Sequence, residues 1–315
     1  MDDSFDRVLE SLATLDLPAD QARLFELSDL DQSQVESFQR AWLPIAEPQR
    51  RRVMQSLGEL ARDHIELNFD RIHCLALDDA AGEVRRSAIE NLWESEDPAL
   101  VPKLLHALGG DPQPDVRAAA AAALGPFVYL GEVGRIEPMQ LREMEDALLL
   151  AAEGDADPAV RLRALESIGF SSRDEVSPLV ERAFHSGQEG AQRAALLAMG
   201  RSANESWGPD VMSQLYSPAP ALRLEAVRAA GELELRDSVP AVIELLDDVD
   251  EDVHRAAIWS LGQLGGTRAR DALQRLAPQA EGQDEIAMLE DALDNLAFVD
   301  GTRDLDLLDL EDEAE

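Results

Sequence analysis

The sequence predicts an all-α protein, a right-handed α-solenoid of about eight helix pairs with capped ends. Three observations predict it. A short pattern recurs about every 31 residues, at Val84, Val116, Val160, Ala191, Leu222 and Val253, with one longer interval of 44 between Val116 and Val160. Hydrophobic residues make up 45% of the chain and aromatics only 4%, so small and branched side chains must fill its interior. No stretch of useful length alternates as a strand would.

Each unit reads as a helix, an Asp/Pro/Gly-rich turn and a second helix. VPKLLHALG from Val101 and VPAVIELL from Val239 are typical first helices. The second begins at the anchor, with small residues three and four places on, as in Ala256 and Ala257, which let neighbouring helices approach. Nine residues after the anchor stands Gly125, Gly169, Gly200, Gly231 or Gly262, and Trp93 in the first unit. A weaker unit starts at Glu285 without the glycine. Asp and Pro ahead of each anchor suit an N-cap and a first turn.

The Asp-Pro turn, the Val-Arg anchor, the paired small residues and the Leu-Gly ending resemble HEAT-like repeats of the short, phycobilisome-lyase type, over residues 66–297. The resemblance implies that Arg85, Arg117, Arg161 and Arg223, one place after their anchors, form a structural ladder with turn aspartates such as Asp79, Asp111, Asp157, Asp247 and Asp250. Gln192 and His254 interrupt that run. The family includes bilin lyases, yet no residues here pick out a bilin pocket.

The expected organisation is an N-terminal helical cap with a divergent helix pair (1–65), repeats (66–299) with an insertion near 127–138, and a disordered acidic tail (300–315). The repeats read as one elongated domain. Arg50, Arg51 and Arg52 form the densest basic cluster, either a solvated face or a docking site for an acidic tail. Trp93 is expected to fill space beside the N-terminal pair.

Sixty-four acidic residues against 28 basic ones give a net charge of −36. Such a field disfavours nucleic acid and anionic membranes and favours a basic partner protein. A single cysteine, Cys74, excludes an internal disulfide and a cysteine-based zinc site. With no apolar run of membrane length and no leader-like N-terminus, a cytoplasmic location is expected.

No catalytic, metal or cofactor constellation is found. None of the five histidines is followed by Glu, and HExxH, the P-loop, G-x-S-x-G and GxGxxG are missing. The expected function is a non-catalytic protein-interaction scaffold. The alternatives are an accessory or lyase-type protein acting on a cofactor-bearing partner, and an acidic regulator masking a basic partner. Candidate partner contacts are Phe127 and Tyr129 in the insertion, where the apolar run either contacts a partner or packs. The others are Trp259, Arg228 and Arg255. Trp259 and Arg228 stand six after their anchors, at a position whose variety (Glu90, Ala122, Glu166, Leu197, Arg228, Trp259) suggests solvent.

Overall fold

A computed structural model describes residues 3–312 apart from 18 and 281, with the side chains of residue 3 and of 303–312 outside the description. The chain comprises two compact units, Met1–Ser167 and Ile168–Glu315, where the repeats predict one elongated domain. Each repeat of an array touches only its neighbours, so a long array divides without any break in its helical pattern. Among the described residues every regular element is helical.

The first unit opens with α1 (Asp3–Ser11) and a 3₁₀ helix, Gln21–Leu27. Four pairs follow: α2 (Gln32–Trp42) with α3 (Glu47–Asp63), α4 (Asp70–Ala76) with α5 (Gly82–Asn91), α6 (Val101–Gly110) with α7 (Pro114–Glu132), and α8 (Pro138–Gly154) with α9 (Pro158–Ile168). Phe5 and Val8 of α1, and Leu12 just beyond it, join Leu24, Phe38, Trp42 and Leu57 in one buried core. The second helices α3, α5 and α7 pack in succession.

The second unit holds α10 (Val176–Phe184) with α11 (Glu189–Arg201), α12 (Gly208–Gln214) with α13 (Pro220–Glu232), α14 (Val239–Glu244) with α15 (Glu251–Leu264), and α16 (Thr267–Leu276) with α17 (Gln283–Asp312). Here α11, α13, α15 and α17 stack in turn. The backbone of the expected acidic tail continues α17 as far as Asp312, while residues 313–315 and the side chains of 303–312, including its leucines at 305, 307, 308 and 310, lie outside the described residues.

The glycine nine places after the anchor has a partner in the next second helix. A Cβ on Gly169 would lie 2.6 Å from the Ala198 Cα, and one on Gly262 would lie 2.9 Å from the Ala292 carbonyl oxygen. Gly125, Gly200 and Gly231 likewise face Ser167, Ala229 and Ser260. All five partners stand seven places after an anchor and are small. Glycine on one helix and Ala or Ser on the next therefore form a single contact, which brings the two backbones together.

The arginine ladder is present. Arg85 donates Nε and Nη2 to both oxygens of Asp111 (2.7 and 2.9 Å) and Nη1 to the Asp79 carbonyl (2.7 Å). Arg117 repeats this on Asp155 (2.8 and 2.9 Å) and Arg223 on Asp248 (2.7 and 2.8 Å). Arg161 donates to the carbonyls of its own turn, Asp155 and Ala156. His254 closes the last rung with Nδ1 on the Leu246 carbonyl and Nε2 on Glu285.

Two assignments from sequence are corrected. The acceptors are Asp155 and Asp248, five places before the anchor, rather than Asp157 and Asp247. Asp157 and Asp250 instead accept backbone N–H groups at the starts of α9 and α15. The basic cluster also divides: Arg50 pairs with Asp79 (2.9 Å) as a rung of its own, Arg51 pairs with Glu83, and Arg52 is exposed.

Hydrogen bonds from Arg117 and Arg223 hold the carboxyls of Asp155 and Asp248 below the ordinary carboxylate range. Their contribution to stability is thus present above the ordinary carboxylate pKa and is lost as pH falls through the depressed one.

The buried titratable group of α4 acts at higher pH. His73 is 1% exposed, neither ring nitrogen has a hydrogen-bond partner, and burial lowers its pKa to about 4. The ring is neutral in the fold, whereas the unfolded chain takes up the proton near the ordinary value of 6.5. Stability should therefore fall as pH drops from about 6.5 to about 4, by about 3 kcal/mol at the lower end. Urea melts across that window check this. His73→Leu is expected to flatten the slope, and a slope unchanged by the substitution would contradict the assignment.

Candidate functional site

The insertion expected near 127–138 lengthens two helices. Helix α7 continues through Pro126 to Glu132, and only residues 133–137 separate it from α8. Proline costs a helix one backbone hydrogen bond, here to the carbonyl of Ala122, and Ala122 lies on the exposed face. Phe127, Val128 and Leu130 are buried, while Tyr129 is exposed. Phe127 is thus corrected from a surface contact to a packing residue, at 3% exposure. Helical rotation of 100° per residue separates it from Tyr129, two places on.

A groove of the first unit lies between α5 and α7. Trp93 stands in the turn just after α5, at the position where later repeats carry the glycine that meets the next second helix. Ala123, seven places after the Val116 anchor, would have filled that contact. A groove of about 450 Å3 opens there instead. Ala118, Ala119, Ala122 and Ala123 of α7 line it, with Phe127 beneath and Trp93 beside them. Trp93 is 59% exposed, which corrects the expectation that it fills space in the core.

The charges lining the groove balance. Two arginines and two carboxylates line it: Arg86 faces Glu90 and Asp115 at 3.7 and 4.0 Å, and Arg163 is the second cation. The groove is therefore an apolar, locally neutral surface on a chain of charge −36.

In the second unit, Trp259 lies over Gly231, 39% exposed, with its Cζ3 2.8 Å from where a Cβ would stand. Arg255, one helical turn earlier on α15, reaches Glu251 (3.3 Å) and Asp252 (3.9 Å). Arg228 of α13 is 3.7 Å from Glu225. The five candidates thus fall into two sets: Phe127 and Tyr129 on α7, and Arg228, Arg255 and Trp259 on α13 and α15. The position six after the anchor faces solvent at Glu90, Ala122, Arg228 and Trp259, as its variety suggests, but Glu166 is 4% exposed and ion-paired.

Among the described residues no three His, Cys, Asp or Glu side chains are grouped as a metal site, and no helix is long and apolar enough to cross a membrane.

The HEAT-repeat family pattern matches residues 73–138 and 208–294. These stretches are HEAT repeats. No curated protein matches the chain in sequence. Among solved structures, the complex of CpcE and CpcF of phycocyanin lyase from Nostoc sp. PCC7120 is 19% identical, over 72% of this chain and 94% of that one, with a TM-score of 0.48. Human deoxyhypusine hydroxylase is also 19% identical, over 93% and 96% of the two chains, at 0.38. The Kap95:Nup1 complex aligns at 12% identity over 94% of this chain and 46% of that one, at 0.48. Likenesses this distant decide nothing about activity. Trp93 and the α5 and α7 walls of its groove lie within the first HEAT stretch, and the Arg228–Trp259 set within the second.

Proposed function

We propose that this chain is a non-catalytic interaction scaffold that holds a segment of a partner protein in the α5–α7 groove. One observation carries the reading: Trp93 stands largely exposed over a floor of four alanines. An indole buries a large apolar area, and tryptophan is enriched among residues that dominate binding energy. Arg228, Arg255, Trp259 and Tyr129 are proposed as further contacts. The charge of −36 would speed the approach of a basic partner and make association sensitive to salt.

The test is a pull-down from the native host with wild type, Trp93→Ala and Ala122→Glu, with circular dichroism to verify folding. A partner captured stoichiometrically by wild type should bind each variant at least roughly tenfold more weakly. Equal capture by all three would remove the groove from the interface.

The excess of 64 acidic over 28 basic residues favours a second reading, a regulator that masks a basic partner. Binding of that kind would fall steeply with salt and be indifferent to Trp93.

A further inference from the structure

The second unit carries a different surface, unrelated to the groove. A cavity of about 670 Å3 lies between the starts of α14 and α16, and Arg236, Arg268 and Arg270 all line it. The carboxylates on its wall are Asp237 and Asp300. Asp300 accepts from Arg270 Nη2 at 2.6 Å and from the Gly266 N–H at 2.9 Å, so these two charges satisfy one another. Arg236 and Arg268 are both exposed and hold no ion pair among the described residues. Elsewhere in this unit the exposed Arg228 and Arg255 rest on carboxylates, and the exposed Arg275 donates to the Asp271 carbonyl. Two unpaired guanidiniums on one cavity are notable in so acidic a chain.

We propose that this cavity binds a phosphoryl group through Arg236 and Arg268. The ladder shows why a carboxylate is the poorer match: Arg85 alone occupies both oxygens of Asp111. A phosphoryl group offers three acceptor oxygens and a charge between −1 and −2, enough for two guanidinium forks at once. Asp237, beside Arg236, lowers the attraction without occupying Arg268. Arg270 stays with Asp300 and keeps the cavity wall in place.

The experiment is calorimetric titration of the full chain with pyrophosphate, and separately with a phosphothreonine peptide of otherwise neutral sequence and its unphosphorylated counterpart. The comparison protein is the Arg236→Ala/Arg268→Ala double variant. Neither arginine is committed to an ion pair, so this variant should melt as wild type does. Saturable binding of a phosphorylated probe, weakened roughly tenfold or more in the variant, is the expected result. Binding of pyrophosphate would identify a free phosphate compound as the source, and binding of the peptide alone a phosphorylated segment. The proposal is overturned if neither phosphorylated probe binds, if the variant binds equally well, or if the unphosphorylated peptide does as well as its counterpart.

Discussion

Arg117→Ala is expected to destabilise the protein by about 3–5 kcal/mol. Three hydrogen bonds disappear together: two to Asp155 at 2.8 and 2.9 Å and one to the Asp111 carbonyl at 2.9 Å. The Arg117 and Asp155 side chains are only 16% and 12% exposed, so the remaining carboxylate would be left largely buried with the Asp157 N–H at 2.8 Å as its remaining short contact. That residual charge, more than the lost attraction, sets the size of the effect. Arg117→Lys should recover only part of it, because an ammonium cannot span both carboxylate oxygens and the carbonyl as a planar fork does. Arg52→Ala provides the control, since Arg52 is exposed and holds no ion pair among the described residues; it should stay within about 0.5 kcal/mol of wild type. Chemical denaturation of the three variants separates these outcomes. A loss for Arg117→Ala no larger than for Arg52→Ala would mean that the rung is ornamental.

The repeat was legible because its contacts are periodic. Glycine nine places after one anchor needs a small residue seven places after the next, and both are written in the chain at each such step from Gly125 onward; at the step before it, Trp93 stands opposite Ala123. The Arg50 rung is not legible from the anchor pattern because Gln49 occupies the anchor position. Gly58, nine places on, was the available signal, and its would-be Cβ falls on Asn91, seven after Val84. Acceptor aspartates were misplaced by one or two positions because the acidic turns offer several candidates, and only the spacing of five before the anchor separates them. Surface exposure was the least legible property. Whether Trp93 or Phe127 meets solvent depends on which neighbouring helix covers it, and that follows from how nearly two helices close, not from either residue's own pattern. The arginine cavity was hidden for the same reason: Arg236 and Arg268 lie a full repeat apart in sequence and meet one cavity only through the packing of α14 and α16.

Gly169→Ala is expected to cost about 3 kcal/mol, although a single methyl group is added. Alanine normally stabilises a helical position relative to glycine by about 0.5–1 kcal/mol, so the sign itself is diagnostic. Here the new carbon would lie 2.6 Å from the Ala198 Cα and 2.8 Å from the Ala198 carbonyl oxygen. Both are backbone atoms within α11, and Ala198 is fully buried, so neither can move aside without shifting its helix. Gly109→Ala is the matched comparison, because a Cβ there meets nothing within 4 Å. That variant should be neutral or slightly more stable, and the two together separate steric closure from helix propensity. Thermal melts suffice as the measurement. If both glycines respond alike, the spacing of nine and seven residues does not mark a close contact. If only Gly169 resists, the rule that opens the groove at Trp93 is the rule that closes the repeats elsewhere, and Trp93→Gly should close the groove and reduce partner binding by the same mechanism.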